Sequence, residues 1–293
     1  MADYKKKWGD RKDARLVRGL DSMHIIMPYN MPKRTANEAV VVEEIDCTAL
    51  EAYVAKLNES NPEFKYTFFH VICAAIAKTV VLRPYMNRFY SGQRLYERDD
   101  VSLTFVVKKQ FTDDAHEAMA MIKCEKEGVS PLDDIYGKVK KFVTSVRKEG
   151  ESDSTTDVMD MLKVFPRWAL RMLFGILGWL EYHGWYPKSL MAADPYYSTC
   201  FISNLGSIKM HADYHHLADW GTNSFFVIIG EKKPTAVFNP DGSYEMKNVL
   251  KLGVTVEERI ADGVYFAKTI KILKKLLDNP ELLELPVETP VDL

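Results

Sequence analysis

Seventeen residues, Tyr66 to Leu82, read YTFFHVICAAIAKTVVL, and only Thr67, His70, Lys78 and Thr79 among them are polar. The apolar residues recur at helical spacing, yet the run falls short of the roughly 20 residues that a membrane-spanning helix needs. It predicts a helix buried on nearly every side, around which the rest of the chain must close. His70 within it reads as a core histidine held by local hydrogen bonds.

The flanking sequence supplies strands. Glu38 to Asp46 reads as a strand, with Asp46 and Thr48 as caps for a helix from Ala49 to Leu57. Arg88 to Tyr96 reads as a hairpin turning at Ser91-Gly92, and Val101 to Val107 as a strand. Residues 1–20 read as a short helix or arm leading to the first strand. Met23 to Met31, which holds Pro28 and is followed by Pro32, reads as extended. Residues 112–147 are charged and read as helical, and KEGESDSTT from Lys148 to Thr156 has the composition of a linker. The proline-punctuated tail from Asn279 to Leu293 reads as surface.

At 293 residues, 47% hydrophobic and a net charge of -2, the chain has the make-up of a globular protein. With 39 basic against 41 acidic residues, nucleic acid is not an expected partner. Cys47, Cys73, Cys124 and Cys200 show no CxxC spacing and no histidine at zinc-ligand distance. Neither a metal site nor a disulfide framework is expected, and a reducing, cytoplasmic setting fits. The charged first twenty residues lack the apolar core of a secretory signal.

Residues 158–186 include FPRWALRMLFGILGWLEYHGWYP, whose longest uncharged run has nine residues, Met172 to Leu180. That is too short to span a bilayer. Three readings stand: a core or trimer-packing helix, an interfacial helix making peripheral membrane contact through 165–185, or an apolar lid over an acyl chain.

The octet Val256-Glu257-Glu258-Arg259-Ile260-Ala261-Asp262-Gly263 sets four charges and a glycine between an alternating run and a helical one. It reads as a strand-to-helix corner with Asp262 at the positive helix end and Gly263 permitting a tight turn. Leu252 to Leu283, LGVTVEERIADGVYFAKTIKILKKLLDNPELL, resembles the C-terminal end of the chloramphenicol acetyltransferase-like superfamily. Within it, the segment most resembles the catalytic domain of the dihydrolipoyl acyltransferases of 2-oxo acid dehydrogenase complexes. That family's corner reads DHRxxDG; Arg259, Asp262 and Gly263 match it, and Glu258 stands where the family has its general-base histidine. Cys200 to Gly206, CFISNLG, is similar to the family's FTISNLG, whose serine is Ser203 here, followed by Asn204. Val40 to Leu50 and Tyr66 to Asn87, with Pro84 and Asn87, resemble its first strand and long helix.

The resemblance implies an α/β fold, a two-layer sandwich with a mixed β-sheet, for residues 1–293 as a single acyltransferase-like domain with 112–190 as a helical elaboration. It also implies a homotrimer with sites between subunits, a coenzyme A thioester as co-substrate, no bound cofactor, and acyl transfer to a hydroxyl, thiol or amine. Ser203 would donate to the oxyanion, and the Asp262 carboxylate would pair with an arginine to hold the corner. A carboxylate titrates about two units below an imidazole, so Glu258 as base demands a raised pKa, which burial beside the like charge of Glu257 would supply. The alternative base is a histidine of the loop after Ser203. There His215-His216-Leu217-Ala218-Asp219-Trp220-Gly221 misses an HHxxxDG pattern because Trp220 takes the aspartate position. Adjacent histidines on an extended segment point apart, so no shared metal is expected. A chain that keeps the fold as a silent scaffold is the competing reading.

Overall fold

The computed structural model describes residues 5–108, 117–149 and 162–292. In chain order these form β1 (Ala14–Leu16), α1 (Ser22–Asn30), β2 (Glu38–Asp46), α2 (Thr48–Leu57), α3 (Phe68–Leu82), β3 (Arg88–Ser91), β4 (Arg94–Arg98), β5 (Val101–Lys108), β6 (Glu117–Cys124), α4 (Pro131–Glu149), α5 (Arg167–Tyr182), α6 (Lys188–Ala193), β7 (Cys200–Asn204), β8 (Phe225–Phe238), β9 (Tyr244–Glu257) and α7 (Gly263–Asp278). Six strands make a mixed sheet in the order β2-β9-β8-β7-β5-β6, with β7 parallel to β5 and β8 and the remaining pairs antiparallel. A small antiparallel sheet, β1-β4-β3, stands beside it. The fold is α/β with helices layered on a mixed sheet, as the resemblance implied.

Strand side chains alternate between faces, and this alternation separates core from site. Cys200, Ile202, Val227, Leu252 and Val254 point to the helical layer, where they pack with Ile72 and Ile76 of α3, Ile135 and Val139 of α4, and Leu273 and Leu276 of α7. Phe201, Phe226 and Ile228 point the other way, against Ala212 and Leu217 of the long β7–β8 loop. Ser203, two residues from Phe201, shares that second face.

The apolar helix α3 is the central helix expected. Thr67 caps it, and its N–H donates to Nδ1 of His70 at 3.0 Å. His70 is satisfied on one side only: Nε2 has no hydrogen-bond partner and is walled by Phe64 and Tyr136, each ring centre 5.5 Å away. Burial lowers its pKa to about 4. Lys78, also in this helix, sends its ammonium to the carbonyls of Leu282 (3.1 Å) and Pro286 (2.9 Å), and burial lowers its pKa. These bonds draw the C-terminal tail inward, so Pro280, Leu283 and Val287 are buried rather than on the surface as expected.

Three further expectations change. Met23 to Met31 is not extended but falls largely within α1, which Asp21 caps by accepting the His24 N–H at 3.0 Å. The N–H that Pro28 lacks would have gone to the His24 carbonyl, and that oxygen accepts from the Tyr90 hydroxyl at 2.8 Å instead. Within 112–147, residues 117–124 form strand β6 and the helix begins only at Pro131; Ala118, Ala120, Ile122 and Cys124 are buried alternately along the pairing with β5. Residues 1–20 contain no described helix, and Ala14 to Leu16 pair with β4. The expected linker keeps Lys148 and Glu149 inside α4, and its remainder, with 112–116, lies outside the described residues. All four cysteines are buried free thiols.

Of the hydrophobic segment, 158–161 lie outside the described residues, and the rest contains α5, none of whose residues is buried, which removes the core-helix reading within the chain. Its C-terminal end is fixed. Glu181 accepts from Arg11 (2.8 Å) and Ser91 (2.9 Å), and the Tyr182 carbonyl lies where a Cβ on Gly92 would come within 2.0 Å of it. Gly92 and Gln93, both at positive φ, make the hairpin turn one residue later than expected. No described helix is long and apolar enough to cross a membrane.

Candidate active site

Ser203 lies near the end of β7, half-exposed, on the sheet face away from the helices. The loop that follows folds back so that Ser203, His215, His216, Tyr196, Phe201 and Phe226 line one cavity of about 200 Å³. The two imidazoles do not point apart as expected. They stack on each other with ring centres 4.8 Å apart, and His215 stacks on Phe226 at 3.9 Å. The backbone here is loop rather than strand, and each ring is bent toward the next carbonyl. Nδ1 of His215 lies 2.7 Å from the His216 oxygen, and Nδ1 of His216 lies 2.9 Å from the Leu217 oxygen. A carbonyl can only accept, so in the neutral rings Nδ1 carries the proton and Nε2 keeps its lone pair. No cluster of metal-ligating side chains occurs among the described residues.

The loop is seated by residues that sequence reasoning missed. Glu38 accepts from the Leu217 N–H at 2.5 Å and bonds the Tyr214 hydroxyl. Arg34 donates to the Ala218 carbonyl (3.1 Å), and Thr35 donates to Asp219 through N–H (3.2 Å) and hydroxyl (3.0 Å). Trp220 donates Nε1–H to Asp194 at 2.7 Å, and burial raises the Asp194 carboxyl. These contacts span more than 170 residues except the last, so no local pattern reveals them.

The corner is built differently from the sequence expectation. Glu257, not Glu258, is buried: it is 0% exposed and held between Arg34 Nε (3.2 Å) and Arg259 Nε. Arg259 continues to the Met31 carbonyl at 2.7 Å. Glu258 is exposed and its carboxylate makes no hydrogen bond or ion pair among the described residues, so the burial a carboxylate base requires is absent within one chain. Asp262 is not paired with an arginine; it caps α7 by accepting the Tyr265 N–H at 2.8 Å. Gly263 has no positive φ, and a Cβ there would meet nothing within 4 Å, so no tight turn requires it. Asn204, the residue after Ser203, closes β7.

The structure does not bring Ser203 and Glu258 together. Ser203 is level with Ile228, and Ile228 with Gly253, so Glu258 lies two strands across and five residues along. That is a separation on the order of 20 Å. A second cleft, of about 440 Å³, lies by the corner, lined by Arg34, Arg259, Tyr90, Gln93, Trp220 and the α5 residues Gly178, Glu181 and Tyr182 among others.

No family model matches the chain. A curated relative, the dihydrolipoyllysine-residue acetyltransferase component 4 of the chloroplastic pyruvate dehydrogenase complex of Arabidopsis thaliana, is 35% identical over 57 residues. That match spans 20% of this chain and 12% of the relative. The structure of a probable dihydrolipoamide acetyltransferase from Listeria monocytogenes 4b F2365 superposes with a TM-score of 0.59 at 13% identity, over 90% of this chain and 94% of that one. A chloramphenicol acetyltransferase superposes with a TM-score of 0.54 at 10% identity, over 90% and 99%. The chain therefore has the chloramphenicol acetyltransferase-like fold that is shared with the acyltransferase domains of 2-oxo acid dehydrogenase complexes.

Proposed function

We propose that this protein transfers an acyl group from a coenzyme A thioester to a hydroxyl, thiol or amine acceptor. The observation that supports this most is the cavity in which Ser203 meets two imidazoles with free Nε2 lone pairs. An imidazole of the His215–His216 pair takes the acceptor proton as the nucleophile adds to the thioester carbonyl. The Ser203 hydroxyl donates to the oxyanion, and collapse expels the coenzyme A thiolate, which recovers the proton. A histidine titrates close to neutral pH and needs no burial to serve.

Glu258 occupies the family's base position, and its distance from Ser203 means that the two meet only across an interface. A homotrimer that sets one chain's corner over the next chain's cavity is the assembly in which Glu258 would act. The charge at that position also favours the competing reading of a silent scaffold.

Thiol release from short-chain and long-chain acyl-CoA, with calorimetric binding of each, tests the proposal. His215→Asn or His216→Asn should slow release by roughly 10²–10⁴-fold, and Ser203→Ala by roughly 10²-fold, while Glu258→Gln retains it. Loss of release in Glu258→Gln with both histidine variants active would move the base to the corner. Absence of binding by any coenzyme A species would leave the scaffold reading.

A further inference from the structure

Helix α5 presents a surface that the acyltransfer chemistry does not use. Trp168, Met172, Gly175 and Trp179 follow at spacings of four, three and four, which sets them in one line along the helix. Trp168 is 70%, Met172 58% and Trp179 53% exposed. The opposite side faces the body: Phe174 meets the Trp220 ring, Leu177 joins Tyr186, Met191 and Tyr197, and Glu181 is bonded to Arg11. The side that carries Glu181 and Gly178 walls the 440 Å³ cleft, and Tyr182, at the end of the exposed line, reaches its edge.

The helix itself carries little acid: its charged residues are Arg167, Arg171 and Glu181. Glu181 is already engaged by Arg11, and Asp194, the first acid after it in the chain, turns inward to Trp220. Arg167 and Arg171, one turn apart on the flank of the tryptophan line, make no hydrogen bond or ion pair among the described residues. Exposed Phe165 and Trp185 extend the apolar surface at the two ends.

From these observations we infer that α5 docks this protein on an anionic lipid surface, lying in the plane of the bilayer. Tryptophans facing outward, with two arginines beside them and the helix's one acid engaged by Arg11, suit the boundary between acyl chains and negative headgroups. Aromatic rings enter the apolar side while guanidinium groups reach back to phosphate. The inference does not rest on the acyltransferase reading.

Sedimentation of the full chain with vesicles of phosphatidylcholine, alone or mixed with phosphatidylglycerol, tests it, with tryptophan emission as a second readout. Binding to the mixed vesicles with a blue shift is expected, and little binding to phosphatidylcholine alone. Arg167→Gln with Arg171→Gln should weaken partitioning about 25-fold, about fivefold for each charge lost. Trp168→Ser with Trp179→Ser should abolish it, with circular dichroism and the thermal midpoint confirming the fold. Equal binding to both compositions, or none to either, would overturn the inference. So would light scattering in which the tryptophan variant dissociates a wild-type oligomer, since the face would then belong to a second copy.

Discussion

Glu257 and Glu258 are neighbours of the same chemistry with opposite fates. Glu257 ends β9 on the face away from the helices and disappears between two guanidinium groups, while Glu258 begins a 3₁₀ turn and stays in solvent. Truncating the first strands Arg34 and Arg259 in a buried setting, so Glu257→Ala should lose about 4 kcal/mol in urea unfolding. Glu258→Ala should change stability by less than about 0.5 kcal/mol in the same measurement. The strand alternation through Val254 and Val256 is visible in the sequence and assigns Glu257 to the non-helical face. What hides the burial is that Arg34 lies 223 residues away, beyond any local pattern.

At the scale of elements, α3, β2, β5, β7 and the corner were legible because each carries its own periodicity or motif. The failures occurred where a distant partner replaced a local rule. Helix α1 survives Pro28 because the Tyr90 hydroxyl occupies the carbonyl that the proline abandons. Tyr90→Phe should therefore cost about 1 kcal/mol, and Pro28→Ala, which restores the N–H, should reduce that loss when combined with it. A double-mutant cycle by chemical denaturation measures the coupling. Strand β6 reads as helical because Glu, Ala, Met and Lys favour helices, and its pairing with β5 along eight residues overrides that preference. At the site, the place of the loop after Ser203 raised its histidines as an alternative base, but the stacking that sets His215 and His216 together in one cavity with Ser203 was not legible. That nearness depends on the loop being drawn back by Glu38 and Thr35.

At the scale of the molecule, stability should follow the protonation of one buried group. Burial holds the His70 imidazole at about 4, below its usual 6.5, so the unfolded chain takes up a proton that the folded one refuses. The contribution of this group is complete above about pH 6.5 and is lost as pH falls toward 4, a difference of ~3 kcal/mol. Thermal melts across that window should show the decline. His70→Gln, which keeps an acceptor for the Thr67 N–H, should flatten it.

Helix α5 is about 24 Å long, half-buried along one side at Ala169, Leu170, Leu173, Leu177 and Leu180, with the ring contact of Phe174 on Trp220 at its middle. Its hydrogen bonds to the body gather at the C-terminal end. There Glu181 meets Arg11 and the Tyr182 carbonyl rests on Gly92. Glu181, Tyr182 and Gly92 also wall the cleft that opens on Arg34 and Arg259. The end of α5 that is bonded to the body is thus also the end that shapes the space in front of the two corner arginines.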